Sequence, residues 1–156
     1  MEAREATAET AAQTVAQACA DAMWRNDRAS KAMGMSIQRI APGEAVLSMT
    51  VRPDMTNGHD ICHGGFIFTL ADSTFAFACN SYNQRTVAQQ CAVTFIRAVP
   101  AGETLTAHAI ERSKAGRGGI YDVTVRDSKN IVVAEFRGHS RTIAGEVLPP
   151  NSTTDQ

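Results

Sequence analysis

Apolar residues along this chain change their spacing twice, and the changes mark its elements. Between Thr14 and Arg25, Val15, Ala18, Cys19, Ala22 and Met23 recur at intervals that predict an amphipathic helix. Asn26 or Asp27 can cap a second, short helix that carries Ala29, Ala32 and Met33 and stops at Gly34. The period then becomes two. In GEAVLSMTVR, Ala45, Leu47, Met49 and Val51 alternate with Glu44, Ser48 and Thr50, as in a strand with one face inward. Pro53 ends it, because proline has no N–H for a ladder. A loop, MTNGHDICH, leads to a strongly apolar helix expected from about Gly64 to Cys79. Four further strands are expected at 86–97, 103–112, 119–127 and 131–142, with turns at Pro100-Ala101-Gly102, Gly116–Gly119 and Asp127–Asn130.

One strand, one long helix and four antiparallel strands predict an α+β domain. The helix is apolar around most of its circumference, so the sheet is expected to wrap it. Residues 1–12 are rich in Ala, Thr and Glu without an apolar stripe. The expected organisation is an N-terminal extension at 1–25, partly helical or disordered, a domain at 26–143 and a disordered tail at 144–156. A curved sheet around one helix leaves an edge strand exposed, expected at 119–127 or nearby. Pairing that edge with a second copy removes an aggregation liability, so a homodimer is expected.

Composition narrows the function classes. The 156 residues are 44% hydrophobic and 20% charged, with a formal net charge of -1. That balance leaves no basic footprint for nucleic acid. No apolar run approaches the roughly 18 residues of a membrane span, and the N-terminus lacks the basic start and apolar stretch of a secretory signal. The four cysteines show no CxxC pairing, which suits reduced thiols and a cytoplasmic setting.

Within this frame Asp72 is anomalous. Asp is a poor helix-interior residue, and burying its charge is costly without a partner. With the helix starting at Gly64, Asp72 lies among Phe68, Phe75 and Ala76, while Ile67, Leu70, Ala71 and Thr74 take the opposite, core-facing side. No Lys or Arg lies one turn away. Such a carboxylate has a raised pKa and weak solvation, as a general base or nucleophile needs. His63-Gly64-Gly65 supplies the second part. Free N–H groups and the dipole at a helix start attract negative charge, and glycine lets a ligand approach the backbone closely. That combination can hold the oxyanion of a tetrahedral intermediate. Gly64 and Asp72 are, however, about 12 Å apart along a helix rising about 1.5 Å per residue. A shared reaction therefore requires Gly64 from one chain and Asp72 from another.

Two other constellations compete. His59, Cys62 and His63, with Asp60, could suggest zinc, but four ligands within five residues strain tetrahedral geometry, and no metal site is expected. A Cys62–His63 nucleophilic pair is disfavoured because adjacent side chains on extended chain point apart.

NGHDICHGG, followed by FTLADSTFAFACNS, FIRAV, GIYDV and AEFRGHSR, resembles the phenylacetic-acid-degradation branch of the hotdog-fold acyl-CoA thioesterases, over about Ala32 to Arg141. The resemblance implies a hotdog fold, a central helix wrapped by a curved antiparallel sheet of five or six strands. It also implies dimers joined edge to edge, often paired into tetramers. The implied reaction is hydrolysis of an acyl-CoA thioester without a metal or redox cofactor, coenzyme A being part of the substrate. Asp72 matches the family's catalytic carboxylate, Gly64 its oxyanion-hole N–H, and Asn57 and His63 its supporting polar positions. Asp72 then either deprotonates water or attacks the carbonyl directly. Asn57 orients water or thioester through its amide, and His63 fixes the loop or assists the leaving thiolate. Gly65, Phe68 and Phe75 are expected to meet the substrate, with (hydroxy)phenylacetyl-CoA preferred. Lys114, Arg117, Arg137 and Arg141 are candidates for the CoA phosphates. The alternatives are a thioesterase for another medium-chain acyl group and a non-catalytic acyl-CoA-binding module. A dehydratase on this scaffold is disfavoured, because the helix carries no histidine beyond His63.

Overall fold

The computed structural model describes residues 2–150. Helix α1 (Glu2–Asn26) and the short α2 (Arg28–Ala32) precede strands β1 (Ser36–Ala41) and β2 (Glu44–Thr50). Helix α3 (Gly64–Cys79) follows, and then β3 (Thr86–Phe95), β4 (Thr104–Ala115), β5 (Gly118–Arg126) and β6 (Val132–Thr142). The strands form one antiparallel sheet in the order β1-β2-β4-β5-β6-β3.

Each boundary has a local cause. The carboxylate of Asp27 accepts the Ser30 N–H and caps α2, and Gly34, at φ 70°, ends that segment in the left-handed region. Helix α3 buries Ile67, Leu70, Ala71 and Thr74 as their spacing predicts, together with Phe75, Phe77 and Ala78. These side chains meet the inward positions of the sheet, including Leu47, Met49, Leu105, Val123, Val125 and Phe136. Asn80 fastens the far end of the helix. Its side chain accepts the Thr86 N–H and donates to the Thr86 carbonyl, both at 2.9 Å, so α3 is tied to the first residue of β3.

Four expectations need correction. The helical segment begins at Glu2 rather than near Thr14. Its residues 4–15 are exposed, and its buried contacts come from Ala16, Cys19 and Ala20. Gln13 reaches the Ile40 carbonyl at 2.7 Å, so α1 lies along β1. Strand β1 itself escaped prediction because a register shift between Ile37 and Arg39 breaks its alternation. The segment 119–127 is not an edge: β5 lies between β4 and β6, and the chain returns β3 to the far side of β6, where it forms the free edge. The tail expected to be disordered from 144 is partly attached. Arg85 donates its N–H to Gly145, and Leu148 donates to the Asn83 side chain at 2.8 Å. Residues 151–156 of that tail lie outside the described residues.

Helix and sheet come closest at Gly138. A methyl group there would stand 2.8 Å from the Phe75 ring, which is fully buried between Tyr121 and Phe136 and has no room to yield. Gly138→Ala is expected to destabilise the fold by about 1–3 kcal/mol, the usual cost of overpacking a closed core. Urea unfolding with an unchanged m-value would measure it.

Candidate active site

The loop before α3 is built by its own backbone. Asp60 donates its N–H to the Asn57 carbonyl at 3.0 Å, and Asp60 takes φ 58° to close the turn. The Asn57 side-chain oxygen accepts the His59 N–H at 2.9 Å. That bond turns the amide so that its NH2, which donates to nothing else among the described residues, is available to donate outward. Farther on, Cys62 and His63 donate their N–H groups to Val99 and Met55, which pins the loop to its neighbours. Cys62 is buried, its sulfur donating to the His63 carbonyl at 3.6 Å rather than meeting the imidazole, and burial pushes its thiol pKa up. This geometry does not make a nucleophilic pair.

His63 caps α3. Its Nδ1 accepts the Gly65 N–H at 2.9 Å, and its carbonyl accepts the Phe66 N–H at 3.0 Å. Gly65, expected to meet the substrate, thus spends its donor on the cap. With Nδ1 accepting, the ring proton of the neutral imidazole sits on Nε2. Among the described residues the Gly64 N–H has no acceptor. It is the open donor at this helix start, where the dipole adds partial positive charge. A methyl group on Gly64 would stand 2.8 Å from the Phe95 ring, so that aromatic lies directly on the glycine. A cavity of about 610 Å³ opens here, lined by Asn57, His63, Gly64, Phe68, Phe95 and Arg97 among others.

Asp72 faces a different cavity. Two turns along α3 it is half-buried and borders a space of about 500 Å³ with Met23, Asn26, Phe75, Ala76 and Val87. Burial raises its carboxyl pKa above the ordinary value. Among the described residues its one hydrogen-bond partner is Cys91 of β3, with sulfur and Oδ1 at 3.9 Å. The Cys91 thiol pKa is itself pushed up to about 11, by burial and by the neighbouring Asp72 charge. At neutral pH it therefore keeps its proton and can donate it.

The remaining expected residues divide. Phe68 lines the Gly64 cavity and packs edge-on to Phe136 with centroids 5.5 Å apart. Phe75 is a core ring that backs the Asp72 cavity rather than an open contact surface. Arg137 bonds Asp122 at 2.7 Å and Lys114 lies over the Tyr82 ring, while Arg117 sits in the exposed β4–β5 turn. None of these three basic residues, nor Arg141, lines either the Gly64 cavity or the Asp72 cavity. Cys91, Phe95, Arg97, Met23 and Asn26 were not anticipated. Only Phe95 and Arg97 had a signal, as members of FIRAV, whereas α1 and β3 reach the site through tertiary packing that no local spacing shows.

A long helix wrapped by a six-stranded antiparallel sheet is the hotdog fold. The chain belongs to the thioesterase superfamily, whose family model matches residues 59–134. More particularly, it is 44% identical over 128 residues to acyl-coenzyme A thioesterase PaaI of Escherichia coli (strain K12), covering 82% of this chain and 91% of that protein. It therefore stands among the PaaI-type acyl-CoA thioesterases, hydrolases of thioester bonds. The solved structure of the E. coli PaaI protein from the phenylacetic acid degradation operon superposes with a TM-score of 0.85, covering 86% of this chain and 97% of that one. A mutant of the phenylacetic acid degradation protein PaaI from Thermus thermophilus is 36% identical, with a TM-score of 0.73 over 75% of this chain and all of that one.

The Cys91 contact predicts a direction. A donor to the ionised carboxylate lowers its pKa, so deleting the thiol leaves desolvation less opposed. In Cys91→Ala the Asp72 titration midpoint is expected to move to higher pH, followed by carboxyl carbon NMR against the wild type.

Proposed function

We propose that the chain hydrolyses aryl-acetyl-CoA thioesters, (hydroxy)phenylacetyl-CoA first among them, at two composite sites of a homodimer. The single observation that carries the composite site is that Gly64 and Asp72 open into separate cavities of one chain. Each cavity holds half of the required chemistry. A two-fold partner whose helix runs the other way brings the halves together, and each interface then holds two equivalent sites.

In that arrangement the thioester carbonyl oxygen accepts the N–H of the partner's Gly64, which stabilises the oxyanion as the carbonyl carbon becomes tetrahedral. Asp72 either removes a proton from an attacking water or adds directly to the carbon, giving a mixed anhydride that water then hydrolyses to free the acid and regenerate Asp72. Collapse of the intermediate breaks the C–S bond and releases coenzyme A as its thiolate. The raised pKa of Asp72 suits either route, because a poorly solvated carboxylate is a stronger base. The NH2 of Asn57 has no acceptor among the described residues and can donate to the thioester or to the water. The apolar wall of Met23, Ala76 and Val87 beside Asp72, backed by the core ring of Phe75, suits an aryl group, with Asn26 as a polar member of that wall. The E. coli relative's origin in the phenylacetic acid degradation operon supports the same acyl class. Arg97, which lines the Gly64 cavity and has no ion pair among the described residues, is a better candidate for the CoA arm than Lys114, Arg117 or Arg137.

Thiol release from a panel of acyl-CoAs should therefore favour aryl-acetyl thioesters. Asp72→Asn is expected to lower kcat at least about a hundredfold, the lower bound for losing a general base; near-normal turnover would refute the assignment. Gly64→Pro deletes the N–H at the first helical position and moves the Phe95 ring as Gly64→Ala does alone; relative to Gly64→Ala it is expected to cost roughly a hundred- to a thousandfold. Chains of the two variants, refolded together, should recover about a quarter of wild-type turnover, since half the dimers are mixed and each holds one intact site. No recovery would place both residues in the same chain's site.

A further inference from the structure

The Asp72 cavity has a direction. One wall is α3, from Asp72 through Ala76 to Asn80. Facing it, the start of β3 runs the other way, from Ala88 back to Thr86 and Arg85. The Asn80 side chain bonds Thr86 on both sides, so the two walls reach the far end of the cavity together. Across that end lies the segment that follows β6, which contributes Ile143, Glu146 and Val147 to the lining.

Three hydrogen bonds hold this segment there. Ile143 donates its N–H to the Arg85 carbonyl at 2.8 Å, and Arg85 returns its own to Gly145 at 3.1 Å. Farther on, Leu148 donates to the Asn83 side-chain oxygen at 2.8 Å. The Cys19 sulfur of α1 lies 3.9 Å from the same oxygen, so the segment and α1 share one anchor. Between the bonds the chain turns at Gly145, with φ 101°. Only glycine suits that position: the backbone is left-handed, and a methyl group would stand 3.0 Å from Cδ of Arg85. The turn leaves Glu146 and Val147 bordering the cavity.

The chemistry of the walls changes along the same axis. Beside Asp72 they are apolar, with Met23, Ala76 and Val87; at the far end stand Arg85 and Glu146. Neither charged side chain has an ion-pair partner among the described residues. An alkyl chain that reached them would strip water from two charges, which is costly. The reach follows from geometry. Asp72 and Asn80 are about 12 Å apart along the helix. A reacting carbonyl carbon stands about 3 Å from the carboxylate, leaving about 9 Å. An extended acyl chain advances about 1.25 Å per bond, so seven bonds, an octanoyl group, fill that length.

Resting on the reading of the Asp72 cavity as the acyl pocket, the geometry points to a length stop: residues 143–148 form the end wall of that pocket, and Glu146 and Val147 exclude acyl chains longer than about eight carbons. An aryl-acetyl group is shorter and clears the wall. The segment thereby determines specificity without touching the reacting atoms.

Thiol release from saturated acyl-CoAs, butanoyl to dodecanoyl, tests the stop on the full chain. Wild-type kcat/KM is expected to stop rising at about octanoyl. Glu146→Ala/Val147→Ala keeps the three bonds, two made by backbone alone and the third by the Leu148 N–H, and changes only an exposed and a half-buried side chain. It is expected to raise the decanoyl-to-octanoyl ratio of kcat/KM at least about tenfold, because each methylene newly accommodated contributes about fourfold. Val147→Trp works in the opposite sense and should lower the octanoyl-to-butanoyl ratio by a similar factor. A ratio that fails to move in either variant, or a wild type that turns over dodecanoyl-CoA as fast as octanoyl-CoA, overturns the stop. When turnover still depends on Asp72, such a result removes the end wall alone; near-normal turnover of Asp72→Asn removes the acyl pocket with it.

Discussion

The rise of an α-helix is fixed, and that spacing governs this protein. Gly64 begins α3 and Asp72 lies eight residues later, so the open amide and the half-buried carboxylate stand about 12 Å apart whatever the side chains do. Each residue gains its chemical character from its place on the helix. The amide is open because it is in the first turn, where no intrahelical acceptor exists. The carboxylate is poorly solvated because the middle of the helix is wrapped by sheet. One helix cannot offer both properties at one point, which is why the proposed site draws on a second helix.

Rigidity of the arrangement comes from α3 and β3 acting as one unit. Asn80 replaces a strand neighbour for Thr86 at one end, and Phe95 lies on Gly64 at the other. Between them Phe75 fills the space left by Gly138, whose β6 position pairs with Cys91. Helix packing, strand register and the surroundings of Asp72 are therefore coupled. A shift of β3 by a fraction of a residue would move the Cys91 thiol off the carboxylate and the Phe95 ring off the helix start together.

Much of this was legible in the sequence because it is local. The helix limits at Gly64 and Cys79 and the burial of Ile67, Leu70, Ala71 and Thr74 follow from spacing, and HGG announces the helix start. The burial of Phe75, spaced onto the Asp72 face, comes instead from the sheet wrapping that side too. The donor use of His63 and Gly65 was not legible: which N–H a cap consumes depends on side-chain geometry. Strand β1 was hidden by its bulge, and the edge was assigned to β5 because chain order suggests a simple meander. The crossover that returns β3 beside β6 is a long-range pairing, and periodicity carries no information about it. The same limit applies to Cys91 and Met23, which reach Asp72 from elements remote in the chain.

Helix α1 gives the site an uneven mechanical character. Its last turns supply Met23 and Asn26 to the wall facing Asp72, while residues 4–15 remain exposed. On the proposed reading, the wall that meets the acyl group thus hangs on a peripheral element, and the reacting groups belong to the wrapped centre. Selectivity and reactivity can drift apart over evolutionary time, the outer helix changing its residues like a replaceable gauge while the engine behind it stays the same.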